Sequence, residues 1–202
     1  FFLSSKLLEK NLNESQKHYS EKLLLCEYLP MFYSKPKIKK IEDSEIQSNN
    51  IYSCPQTLFK LHPDFDEIIY GILKEDKKAN FYLIKGKEIS FEKKIYNRLL
   101  KKIPNQIDRV HFLDKMSTEE YINHCGRASV LLDPFYFGAG NSFHESMFYG
   151  TQTVTMPTEF KRSKIDKGEN KKMKIKKPTV VKNINEYISL TIEKKKKKKK
   201  KM

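Results

Sequence analysis

The stretch FGAGNS at 137–142 has the residue types to bind an anion. It sets two glycines and two small polar side chains at the mouth of a short helix-like segment. A helix start carries unpaired N–H groups and partial positive charge, which favour a phosphate. Gly138 and Gly140 would let the backbone approach such a ligand closely. Glu145 follows Ser142 by about one helical turn, where a carboxylate could accept hydrogen bonds from ribose hydroxyls. Two other segments offer matching chemistry. Residues 56–60 supply the amide of Gln56 and the ammonium of Lys60, and residues 116–124 supply Met116, Ser117, Thr118, Tyr121 and His124. Amide, ammonium, hydroxyl, carboxylate and aromatic groups together describe a nucleotide site.

Such groups need a scaffold that brings three distant segments to one place. Short apolar runs at 51–54, 81–84, 110–113, 130–132 and 151–155 read as strands. Between them, 64–74, 91–103, 117–127 and 142–149 carry helical spacing, and Ser117 with Glu120 makes a capping box. Strands separated by helices of about ten residues imply βαβ units and a mostly parallel sheet. Ligands of such sheets bind beyond the carboxyl ends of the strands, which is where all three candidate segments fall. Upstream, 11–24 reads as a short helix leading into a strand or loop at 23–28, and 33–50 as a linker. Downstream, 161–177 is almost wholly polar and offers no apolar helix face, so it is expected to leave the sheet uncovered or to be disordered. A strand at 179–181 and a short helix at 183–192, capped by Asn183, precede a run of eight lysines that is expected not to pack.

The net charge of +15 suggests nucleic acid, but its distribution does not. Residues 1–160 carry 22 basic against 21 acidic side chains, and residues 161–202 carry 18 against 4. The nearly neutral body argues against a groove that tracks a phosphate backbone. Three scattered cysteines, Cys26, Cys54 and Cys125, show no metal-ligand spacing and suit reduced thiols in the cytoplasm. No apolar run approaches the roughly 20 residues of a membrane helix.

Four passages, HYSEKLLLCEYLPMFY (18–33), YSCPQTLFKLHPDFDEII (52–69), RVHFLDKMSTEEYINHCGRASVLLD (109–133) and FGAGNSFHESMFYGTQTVTMPTEF (137–160), resemble in order and spacing the catalytic region of the O-GlcNAc transferases, family 41 of the glycosyltransferases. The nearest flavour is that of the bacterial-type and SPINDLY-like relatives. The resemblance implies a GT-B fold of two Rossmann-like lobes. Here, 1–49 would be the end of the first lobe plus a linker, 50–192 the C-terminal, donor-binding lobe, and 193–202 a disordered tail. It also implies inverting transfer of GlcNAc from UDP-GlcNAc to Ser or Thr hydroxyls of a protein, without an essential metal.

Residue by residue, the resemblance puts Lys60 on the lysine that contacts the diphosphate, and Gln56 or Thr57 on the glutamine before it. Gly140, Asn141 and Ser142 fall on the triplet that holds the phosphates, and Glu145 on an acidic ribose contact. Met116, Ser117, Thr118, Tyr121 and His124 fall on the segment around the uracil, with Tyr121 placed to stack on the base and His124 to reach the ribose or phosphate. The partners implied are a UDP-sugar and a protein acceptor, with no membrane and no specific nucleic acid. The acceptor-side lobe would lie upstream, so this piece alone is expected to transfer little. A non-catalytic binding module on the same fold is the alternative reading.

Overall fold

The computed structural model describes residues 1–9, 11–29, 31–42, 50–175 and 179–199. Part of the expected linker, 43–49, and the last three residues lie outside the described residues. The chain forms β1 (Phe2–Ser5), α1 (Leu12–Gln16), β2 (Leu23–Cys26), β3 (Ile51–Thr57), α2 (Phe65–Glu75), β4 (Asn80–Ile84), α3 (Ile89–Lys102) and β5 (Val110–Leu113). It continues through α4 (Thr118–Arg127), β6 (Val130–Leu132), α5 (Asn141–Ser146), β7 (Thr153–Val154), α6 (Ile165–Lys172) and α7 (Ile184–Lys199). Strands β3 to β7 make one parallel sheet in the order β5-β4-β3-β6-β7. Strand β3 is buried without interruption from Tyr52 to Gln56, as a strand covered on both faces must be. The chain winds outward from β3 to β4 and β5, then returns to the other side for β6 and β7. Loops after β3 and β6 therefore part in opposite directions and open a crevice at the carboxyl edge.

Helix α2 supplies the centre of the core, with Phe65, Ile68, Ile69, Ile72 and Leu73 fully buried beneath the sheet residues Phe81 and Leu83. Its start is tied to α3 by Arg98, which grips Asp66 with two hydrogen bonds of 2.5 and 2.9 Å. Its end is capped by Arg109, donating to the carbonyls of Leu73, Asp76 and Ala79, a favourable place for a cation. Helix α7 crosses α2 closely at Gly71, where an added Cβ would stand 2.2 Å from Ile188 Cδ1. The buried Tyr187 of α7 accepts from Asp133 N and donates toward the carbonyls of Val154 and Asp133, clamping the ends of β6 and β7.

The upstream segment forms a two-stranded parallel pair, β1 with β2, joined through α1. It rests against α6 where Gly168 meets Leu7, Leu8 and Leu29. Burial pushes the Glu9 carboxyl up, but hydrogen bonds from Ser4, Tyr19 and Lys161 overcome this and hold it at about 2.

Two expectations fail downstream. The polar stretch after Phe160 does form a helix, α6, and buries its polar residues Asp166, Glu169 and Asn170. It needs no apolar stripe because its small residue, Gly168, receives leucines from the upstream segment. The lysine run also continues α7 as far as Lys199. Lys194 is buried and Lys195 pairs with Asp76, so the first lysines of the run pack.

Candidate functional site

Lys60 ends a 3-10 turn, Leu58–Lys60, that leaves β3 at the sheet's carboxyl edge. Its ammonium donates to Gln56 Oε1 at 2.8 Å and to the Gly138 carbonyl at 3.0 Å. Gln56 Nε2 in turn donates to Ser142 Oγ at 3.0 Å. The loops after β3 and β6 are thus joined across the crevice by Lys60, Gln56 and Ser142. The Lys60 ammonium also sits 4.6 Å from the centre of the Phe137 ring. Burial lowers the lysine's pKa, while the nearby Asp133, Cys54 and Asp166 oppose that shift.

Beside this junction lies a cavity of about 560 Å³, walled by Pro55, Leu58, Phe59, Ile84, Phe91, Met116 and Tyr121, with Gln56 at one side. Tyr121 is fixed there by its hydroxyl, which donates to the Pro55 carbonyl at 3.1 Å. Mostly apolar walls with few polar groups are what a small planar ligand requires. Phe59, Phe91 and Lys85 belong to this wall and were not among the sequence candidates. The signal existed: Phe59 lies inside the 56–60 segment already singled out, and Lys85 and Phe91 follow β4, whose loop also leaves the sheet at its carboxyl edge.

The other candidates part company. Asn141 is exposed in the first turn of α5, behind Gly140 as the N-cap. An added Cβ on Gly140 would meet nothing within 4 Å, so the space over it is open. Gly138 serves a different end, since its Cβ would stand 2.6 Å from the buried Asp133 carboxylate. Ser117 and Thr118 lie exposed at the start of α4, and Ser117 is occupied in the expected capping box with Glu120. Glu145 accepts a hydrogen bond from Tyr33.

His124 does not reach the cavity. Its Nε2 lies 2.8 Å from Ser53 Oγ in the middle of β3, and its ring meets Tyr82 edge-on. Burial, aided by Arg127, pushes its pKa down to about 4. It is a core residue that ties α4 to the sheet, and the expected ribose or phosphate contact is corrected accordingly.

Under the 137–140 loop lie three buried carboxylates. Asp133 accepts from Ala139 N at 2.7 Å and from Thr155 Oγ1 at 2.8 Å, yet burial still pushes it up to about 6. Asp166 is raised well above the carboxylate range by burial and by Asp133, and neither of its oxygens has a hydrogen-bond partner among the described residues. Glu169 Oε1 faces His144 Nε2 across 3.5 Å. Among the described residues no group of three or more His, Cys, Asp or Glu is arranged to hold a metal ion.

No protein-family profile and no curated protein matches the chain. Solved structures do. A mutant of the Thermobaculum terrenum O-GlcNAc transferase matches over 95% of this chain with a TM-score of 0.81 at 16% identity. The S. aureus glycosyltransferase TarM, in a mutant complexed with fondaparinux, alpha-GlcNAc-glycerol and UDP, matches over 93% with a TM-score of 0.59 at 14% identity. The fold is that of a GT-B glycosyltransferase. The chain spans 36% of the length of each of those two proteins. Within this GT-B portion, the crevice between β3 and β6 gathers Lys60, Gln56 and Ser142 beside the cavity.

Proposed function

We propose that this chain is the C-terminal, donor-binding lobe of a cytoplasmic glycosyltransferase that uses UDP-GlcNAc and passes GlcNAc, with inversion, to Ser or Thr hydroxyls of proteins. One observation carries the reading: the Lys60–Gln56–Ser142 junction stands at the rim of an apolar cavity, at the point where the strand order reverses. The likeness in fold to an O-GlcNAc transferase and to a transferase solved with UDP supports it.

In this reading the uracil lies in the cavity against Tyr121 and Met116, and the ribose turns toward Glu145. The diphosphate lies over the open space at Gly140, within reach of Lys60, Asn141 and Ser142. Cleavage of the sugar–phosphate bond leaves negative charge on the departing UDP. A preorganised ammonium in a half-buried site stabilises that charge far better than water does, and Lys60 is already held in place by two acceptors. The proposal assigns this task to side chains and backbone, with no metal. The acceptor hydroxyl and its base belong to the other lobe, and orientation across both lobes supplies much of the rate. Alone, this chain binds UDP and transfers little.

Calorimetric titration with UDP tests the assignment. Hydrogen bonds to charged groups contribute about 1.5–3 kcal/mol, so Lys60→Ala is expected to weaken UDP binding by roughly ten- to a hundredfold. Asn141→Ala, which removes one exposed donor, is expected to cost only a few fold. Equal affinity in wild type and Lys60→Ala would remove Lys60 from the site.

A further inference from the structure

Glu145 is held from outside the sheet. The connector at 31–42 forms no helix or strand, yet it is fastened along α4 and the turn after α5. Lys39 N donates to Glu119 Oε2 at 3.4 Å, Asn123 Nδ2 donates to the Lys39 carbonyl at 3.4 Å, and Ile41 N donates to Tyr149 Oη at 3.0 Å. Lys172 of α6 donates to the Met31 carbonyl at the upstream end. This path delivers Tyr33 onto α5. Its ring stacks on His144, with centroids 5.1 Å apart and planes 12° from parallel, and its hydroxyl donates to Glu145 Oε1.

The consequence for Glu145 is directional. Ser142 and Glu145 share one face of α5, three residues apart. Ser142 is bonded to Gln56 at the crevice, and α5 packs against α4, which carries Tyr121 of the cavity wall. Tyr33 engages Oε1 from the connector side. We infer that Tyr33 is a positioning residue for ribose recognition: it holds Glu145 so that Oε2 accepts a ribose hydroxyl, and the connector thereby takes part in selecting a ribonucleotide donor. This rests on the nucleotide reading of the site. The hydroxyl is suited to the task, because burial and the Glu145 charge push Tyr33 up to about 12, and it remains a donor at every physiological pH.

A site built around a substrate hydroxyl rejects analogues that lack it. The test is a set of titrations of the intact chain with UDP, 2′-deoxy-UDP and 3′-deoxy-UDP. Wild type is expected to prefer UDP over at least one deoxy analogue by tenfold or more. Tyr33→Phe keeps the stack on His144 and loses only the hydroxyl; it is expected to shrink that preference at least threefold while leaving the affinity for the deoxy analogue nearly unchanged. Glu145→Gln is expected to shrink it as well, and adding Tyr33→Phe to Glu145→Gln should change nothing further. A merely structural role for Tyr33 would weaken all three ligands alike and leave the ratio intact, which overturns the inference while the nucleotide site stands. No preference in wild type overturns the ribose role of Glu145 and this inference with it. No binding of UDP at all overturns the proposed function itself.

Discussion

Tyr121 and His124 were neighbouring candidates in the sequence, and the structure separates them by about one helical turn of α4. Helix α4 starts at the carboxyl edge and runs back over the sheet. Tyr121, in its first turn, meets the Pro55 carbonyl at the rim, while His124 meets Ser53 in the middle of β3. A turn spans 5.4 Å, which is enough to move a side chain from cavity wall to core. A spacing of three residues puts both on one face of a helix, but does not say how far along the strand each lies. The buried acids were not legible either, since Asp166 and Glu169 sit in a stretch whose composition reads as solvated. Their pH behaviour follows from sign. An acid whose pKa rises on folding contributes stability that is full below its unfolded value, about 4, and is lost as pH rises through the folded value. For Asp133 that window closes at about 6, and for Asp166 the loss continues to higher pH. His124 acts in reverse: its folded pKa is depressed to about 4, so its contribution is present above about 6.5 and lost as pH falls toward 4. Asp166→Asn is therefore expected to raise the melting temperature more at pH 8 than at pH 5. Thermal unfolding at the two pH values checks this, and an equal gain at both would show that ionisation of Asp166 is not the cause.

At the scale of elements, the apolar strands and the helices between them were readable because their periodicity is strong: Val110–Leu113 and Val130–Leu132 match the expected runs residue for residue. The connections between layers were less so. Nothing in the spacing of α2 announces that Gly71 is the contact with α7, because the partner lies more than a hundred residues away. Gly71→Ala is expected to destabilise the fold by about 1–3 kcal/mol through overpacking against Ile188, measured by urea unfolding. Relief of that loss by Ile188→Val would confirm the cause. Tyr187→Phe removes the hydroxyl that spans the ends of β6 and β7 and is expected to cost about 1–3 kcal/mol. Helix α7 itself extends past the expected end because its first lysines find partners: Lys195 pairs with Asp76 at the far end of α2.

Across the whole molecule, charge and function are divided. The excess of basic residues lies after residue 160, whereas the crevice lies at the carboxyl edge of a nearly neutral sheet. Shortening the chain after Lys195 is expected to leave UDP affinity unchanged within twofold and to remove most non-specific affinity for polyanions. A parallel loss of both would tie the lysine run to the site. The upstream segment, by contrast, is packed on the rest of the chain, since its leucines meet Gly168 of α6 and its connector carries Tyr33 to α5. The central claim is that separate loops of one wound sheet converge to hold a uridine diphosphate. Its most direct test is a co-crystal or NMR titration of the intact chain with UDP. The account predicts a single bound nucleotide with its base against Tyr121 and its phosphates at Lys60 and Asn141; a nucleotide bound elsewhere, or none at millimolar UDP, would contradict it.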